Sequence, residues 1–125
     1  MSDRATILVC DDDDRLRELM KVTLGGEYTF VEAPDGETAI ALCRAERPDL
    51  VLLDVMLPGS SGLQVLETMR SDERLRDIPV IIVSAWQTAD DRAAAATAGA
   101  DDFLGKPFEL EELTDAVSTL LERRK

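Results

Sequence analysis

Five short β-branched or leucine-rich runs punctuate the chain, at residues 6–10, 28–32, 49–54, 79–84 and 102–105, and three of them are apolar almost without interruption. A strand with one wet face alternates polar and apolar residues, whereas a strand covered on both faces does not, so these runs ask for a buried parallel sheet. Segments with helical spacing separate them, such as Leu16, Leu19, Met20 and Leu24 after the first run, and Leu110, Leu113, Val117, Leu120 and Leu121 after the last. Strand and helix alternate five times. Connections of this length form right-handed crossovers with helices on both faces, which predicts an α/β fold: a doubly wound, five-stranded parallel sheet with five helices. Asp35-Gly36 turns the chain into the second helix, Pro48 follows that helix, and Gly62 opens the third.

At 125 residues and 45% hydrophobic, the chain has the size of one domain, expected to span 1–125. Its 14 Lys and Arg face 26 Asp and Glu, a net charge of −12 that repels nucleic acid and anionic lipid over most of the surface. Direct nucleic-acid binding is not expected. The N-terminus carries no apolar signal core, and no run approaches the roughly 18 apolar residues of a membrane span, so a soluble, cytoplasmic protein without membrane insertion is expected. Cys10 in a strand and Cys43 in a helical pattern suit reduced core thiols better than a disulfide or metal site. Histidine is absent, which removes Ser-His and Cys-His nucleophilic pairs and all imidazole metal ligation. Chemistry must rest on carboxylates, hydroxyls and lysine.

Ligands of doubly wound sheets sit outside the carboxyl ends of the strands. The first strand runs into Asp11 and Asp12, the third into Asp54, the fourth into Ser84 and the fifth into Lys106, so all of these polar groups fall on one rim. Two like charges about 4 Å apart cost about 4 kcal/mol at an effective dielectric of 20, so three carboxylates there require positive charge. Lys106 supplies one unit. The remaining excess suits a hard divalent cation, Mg²⁺ rather than Ca²⁺, because Mg²⁺ accepts few carboxylates and keeps several waters. A cation, the Lys106 ammonium and the Ser84 hydroxyl together cradle a tetrahedral anion such as phosphoryl, and Asp54 is then the nucleophile. Asp13 and Asp14 suit capping of the first helix or simple solvation.

These residues resemble the receiver domains of two-component response regulators along the whole chain. The resemblance rests on Ile7-Leu-Val-Cys-Asp11-Asp12, on Leu52-Leu-Asp54-Val-Met-Leu-Pro58-Gly59 followed by Gly62, on Ile82-Val-Ser84-Ala85, and on Lys106-Pro107-Phe108. It implies a flavodoxin-like strand order of 2-1-3-4-5. It also implies that Asp54 takes a phosphoryl group from a phosphohistidine on a partner histidine kinase or histidine phosphotransfer protein. Asp12, Asp54 and the Met56 backbone carbonyl would ligate Mg²⁺, with Asp11 helping through water. Lys106 would neutralise phosphoryl charge, while Ser84 and the Ala85 backbone contact it. Phe103 stands at the family's aromatic switch position, and Lys106-Pro107 at its cis peptide bond.

Met56 and Trp86 are expected to border the phosphoryl group and to shield it from water, lengthening its lifetime; Trp86 as an outward-facing partner anchor is the alternative. No large aliphatic residue lies between Ala89 and Ala98, so the fourth helix should be weakly held and available to move. The chain ends soon after the fifth helix, which is read as a stand-alone receiver. Its output would pass through the face of the fourth helix, fifth strand and fifth helix to a protein partner. Six acidic residues between Asp101 and Asp115, against Lys106 alone, suit a basic partner there. No enzyme activity is expected beyond the chain's own phosphorylation and dephosphorylation. Two alternatives are a pseudo-receiver that only binds partners and an aspartyl-phosphate phosphatase. The second commonly carries another Asp two residues after the nucleophile, where this chain has Met56.

Overall fold

A computed structural model describes residues 4–85 and 88–123. The chain alternates β1 (Thr6–Cys10), α1 (Asp14–Leu24), β2 (Thr29–Ala33), α2 (Gly36–Glu46), β3 (Leu50–Leu53), α3 (Gly62–Ser71), β4 (Val80–Ser84), α4 (Ala89–Ala98), β5 (Asp102–Gly105) and α5 (Leu110–Arg123). The strands form one parallel sheet in the order β2-β1-β3-β4-β5. This is the doubly wound architecture that the sequence predicts.

Every residue of β3 and β4 is buried, which explains the uninterrupted apolar runs. Alternate residues feed two separate cores. Leu8, Val51, Leu53, Val80 and Ile82 pack with Cys43 of α2, Leu66 and Met69 of α3 and Ala95 of α4. Ile7, Val9, Leu52, Ile81 and Val83 pack on the opposite face with Met20 of α1 and Leu113, Val117 and Leu120 of α5. Cys10 and Cys43 are both buried and unbridged, and burial pushes the Cys43 thiol up to about 11, so both behave as apolar filler.

Capping decides where the helices begin. Asp13 accepts hydrogen bonds from the amides of Arg15 and Leu16, Asp35 accepts from Thr38, and Ser61 and Thr88 each form a reciprocal capping box with Gln64 and Asp91. Thr88 is thus the cap of α4. That helix buries only Ala95, as its alanine-rich composition predicts.

Arg70 of α3 holds the far end of α4. Its guanidinium donates to the carbonyls of Gly99 at 2.8 Å, Arg76 at 2.9 Å and Ile78 at 2.8 Å, and pairs with Asp101 at 2.9 Å. Three loop carbonyls and one carboxylate thus depend on one side chain. Arg70→Ala should lower unfolding free energy by about 2–4 kcal/mol, since hydrogen bonds to charged groups contribute about 1.5–3 kcal/mol each and are not additive. Urea titration checks this, and a loss under about 0.5 kcal/mol, the range of ordinary surface substitutions, would contradict it.

Candidate functional site

Strand register brings the acidic residues together. Cys10 of β1 stands beside Leu53 of β3, so the next residues, Asp11 and Asp54, emerge side by side. The Asp54 amide donates to the Cys10 carbonyl at 3.0 Å and the Asp11 amide to the Ala33 carbonyl at 3.1 Å, which continues the ladder one step past the strands. On the other side Ser84 pairs with Gly105, and the Lys106 amide donates to the Ser84 carbonyl at 2.8 Å. Lys106 therefore leaves β5 at the same rim.

Asp11 is 1% and Asp54 5% exposed, while Asp12 is exposed. The carboxylates of these three residues come within 4.8 Å of one another. The Lys106 ammonium bridges two of them, at 2.9 Å from Asp11 Oδ2 and 3.1 Å from Asp54 Oδ2. The other Asp54 oxygen accepts the Met56 amide at 3.2 Å, and Asp11 Oδ1 accepts the Asp13 amide at 2.9 Å. Burial pushes the Asp54 carboxyl up, more than Lys106 pulls it down, and the charge of Asp11 adds to the rise. Burial alone would lower the Lys106 ammonium, but its hydrogen bond to Asp11 and the charges of Asp11 and Asp54 outweigh that and hold it above the ordinary lysine value. One lysine thus faces two buried carboxylates and an exposed third. The remaining negative charge and the all-oxygen donor set fit a hard divalent cation.

An open hollow of about 550 Å³ lies beside the cluster, lined by Asp12, Val55, Met56, Leu57, Ser61 and Gln64. Met56 is 54% exposed there. Trp86 lies outside the described residues. Ser84 is fully buried at the end of β4. Phe103 is half-buried on the edge strand β5, with the Arg92 guanidinium of α4 4.7 Å from its ring centroid. The Lys106-Pro107 peptide bond is cis.

Two arginines that no sequence motif singles out take part here. Arg17 donates to the Asp11 carbonyl and Arg70 ties α3 to the α4–β5 turn. For Arg17 a signal existed: a basic residue in the first turn of a helix opposes the helix dipole and hints at a local acceptor.

The doubly wound parallel sheet, with its lysine-bridged aspartate cluster at the carboxyl rim, is that of a response regulator receiver domain: the chain belongs to that family, whose model matches residues 7–118. It is 44% identical over 119 residues to a protein of Mycobacterium tuberculosis named "Probable transcriptional regulatory protein TcrX", covering 94% of this chain and 50% of that one. It is 42% identical over 120 residues to Response regulator MprA of Mycobacterium ulcerans, covering 95% of this chain and 51% of that one. The chain spans about half the length of these curated relatives. Among solved structures, the Francisella response regulator 1452 receiver domain superposes with a TM-score of 0.90 at 30% identity, covering 98% of this chain and all of that one. The phosphorylated cyanobacterial phytochrome response regulator RcpA superposes with a TM-score of 0.82 at 29% identity, covering 95% of this chain and 92% of that one. No helix among the described residues is long and apolar enough to cross a membrane.

Proposed function

We propose that the chain, as one receiver domain over 1–125, is a phosphorylation-operated switch with Asp54 as phosphoacceptor. The observation that carries this is the Asp54 carboxylate itself, buried at a strand end, bonded to Lys106 at 3.1 Å and close to Asp11 and Asp12. An Asp54 oxygen attacks the phosphorus of a phosphohistidine on a partner kinase or phosphotransfer protein. The P–O bond forms as the P–N bond breaks, and the departing imidazole nitrogen takes a proton from solvent. This chain has no histidine and cannot supply the phosphohistidine itself.

Asp12 and Asp54, with the Met56 carbonyl, would hold Mg²⁺, and Asp11 would assist. When bound, the ion offsets negative charge between the carboxylates and the phosphoryl oxygens. Lys106 keeps its proton and moves from carboxylate partner to phosphoryl partner. The Ser84 hydroxyl and Ala85 amide then face the new anion, and Phe103 follows by rotating away from its place under Arg92. The weakly buried α4 is the element free to respond, so the α4-β5-α5 face carries the output to a protein target. Exposed Glu109, Glu111, Glu112 and Asp115 favour a basic partner surface there, whereas Asp101 is already paired with Arg70. The Mg²⁺ requirement also separates this reading from a pseudo-receiver.

Incubation with acetyl phosphate and Mg²⁺, followed by intact-mass spectrometry, should show one phosphoryl adduct that a chelator prevents. An adduct formed equally well without divalent metal, or none with any phosphodonor, would overturn the reading.

A further inference from the structure

Arg17 is the fourth residue of α1, close to the helix end where a cation is disfavoured. Its side chain is nevertheless only 12% exposed and each arm of the guanidinium is engaged. Nη1 donates to the backbone carbonyl of Asp11, Nε to Glu32 Oε1 at 3.0 Å, and Nη2 to Asp14. The second Glu32 oxygen takes the Lys21 ammonium at 2.8 Å, so the fork is anchored to β2 on its outer side.

The bond to the Asp11 carbonyl matters for the residue that follows. A peptide unit is planar, so fixing that oxygen fixes the plane from which Asp12 departs. Asp12 is exposed, and packing does little to aim it. Asp11 is meanwhile held through its amide by Ala33, through Oδ1 by the Asp13 amide and through Oδ2 by Lys106. Its carbonyl is the remaining handle, and Arg17 holds it.

We propose that Arg17 is a positioning residue of the divalent-cation pocket, which sets the Asp11–Asp12 peptide plane and thereby aims the Asp12 carboxylate at the ion. This rests on the reading of Asp11, Asp12 and Asp54 as a cation pocket. Charge and position make opposite predictions. As a mere positive charge near the pocket, Arg17 repels a dication and its removal tightens binding; as a positioning group, its removal loosens binding.

Mg²⁺ titration calorimetry at fixed ionic strength on the wild type, Arg17→Gln, Arg17→Lys and Asp12→Asn decides between them. Arg17→Gln should weaken Mg²⁺ about tenfold, the lower range for loss of a group that orients a metal ligand. Arg17→Lys keeps the charge but not the planar fork, and should remain at least about threefold weaker than wild type. In metal-free protein, hydrogen exchange at the Asp13 amide should quicken in Arg17→Gln, because its acceptor Asp11 is less firmly held. Should Arg17→Gln fail to fold, Arg17→Lys carries the test alone. Mg²⁺ affinity that is unchanged or tighter in the folded arginine variants, with Asp12→Asn still disabling, would overturn the role of Arg17 and leave the pocket standing. A wild-type chain that takes up no Mg²⁺ would end both.

Discussion

Asp54→Asn should reduce phosphoryl incorporation from acetyl phosphate to background while leaving a folded protein that is at least as stable as the wild type. The amide has the shape of the carboxylate but offers no anionic oxygen to attack phosphorus. Its effect on stability follows from burial. The Asp54 carboxyl is held above its ordinary value mainly by desolvation, with Asp11 adding to the rise and Lys106 opposing it. A carboxyl with a raised folded-state pKa favours the folded chain only while protonated. That contribution is present below the unfolded value of about 3.9 and is lost as pH rises through the raised value. Asparagine stays neutral throughout. Thermal melts in chelator should therefore coincide for the two proteins near pH 3.5 and separate above about pH 4, with Asp54→Asn melting higher at pH 7. Equal melting temperatures at pH 7 would contradict the burial argument, and a phosphoryl adduct persisting in the variant would displace Asp54 as acceptor.

The strands were legible because both faces of a central parallel strand are buried, so their composition carries the signal directly. The edges were less legible. Tyr28 reads as part of the second strand, yet β2 pairs only from Thr29, opposite Thr6, and Tyr28 instead sets its ring against Phe30 at 6.3 Å. Asp49 and Asp54 read as strand ends, and both lie one residue outside β3, although their amides still bond to the Thr6 and Cys10 carbonyls of β1. Asp49 accepts the Thr6 amide at 2.7 Å, and Asp54 turns its carboxylate to Lys106. The rim itself could be foreseen, because polar residues that end apolar runs must collect at one side of a parallel sheet. Arg17 and Arg70 could not be placed the same way. Arg70 bonds mainly to backbone carbonyls, which every residue carries, and the position of Arg17 near a helix start hints at an acceptor without saying which; only the folded path brings the Asp11 carbonyl and Glu32 within its reach.

Gly62 shows how much a single legible residue can conceal. The sequence marks it as the opening of α3, and α3 does begin there, capped by Ser61. The reason it must be glycine is different. A Cβ at this position would lie 2.0 Å from the Asp54 carbonyl oxygen, 2.8 Å from its carbon and 2.9 Å from Val55 Cα, all of them backbone atoms. The Gly62 amide also donates to the Val55 carbonyl at 2.8 Å, so α3 cannot withdraw without breaking that bond. Relief must come from moving the backbone of the proposed acceptor itself. Gly62→Ala should therefore cost at least about 3 kcal/mol of unfolding free energy, in the upper range for a single substitution, and should impair Mg²⁺ binding and phosphorylation in whatever fraction folds. Ser61→Ala is the matched control. It removes the cap of the same helix for about 1 kcal/mol and leaves Asp54 in place, so phosphorylation should survive. Chemical denaturation and acetyl phosphate labelling of both variants separate the two effects. If Gly62→Ala proved no more damaging than Ser61→Ala in both measurements, the close approach of α3 to Asp54 would not be what places the acceptor.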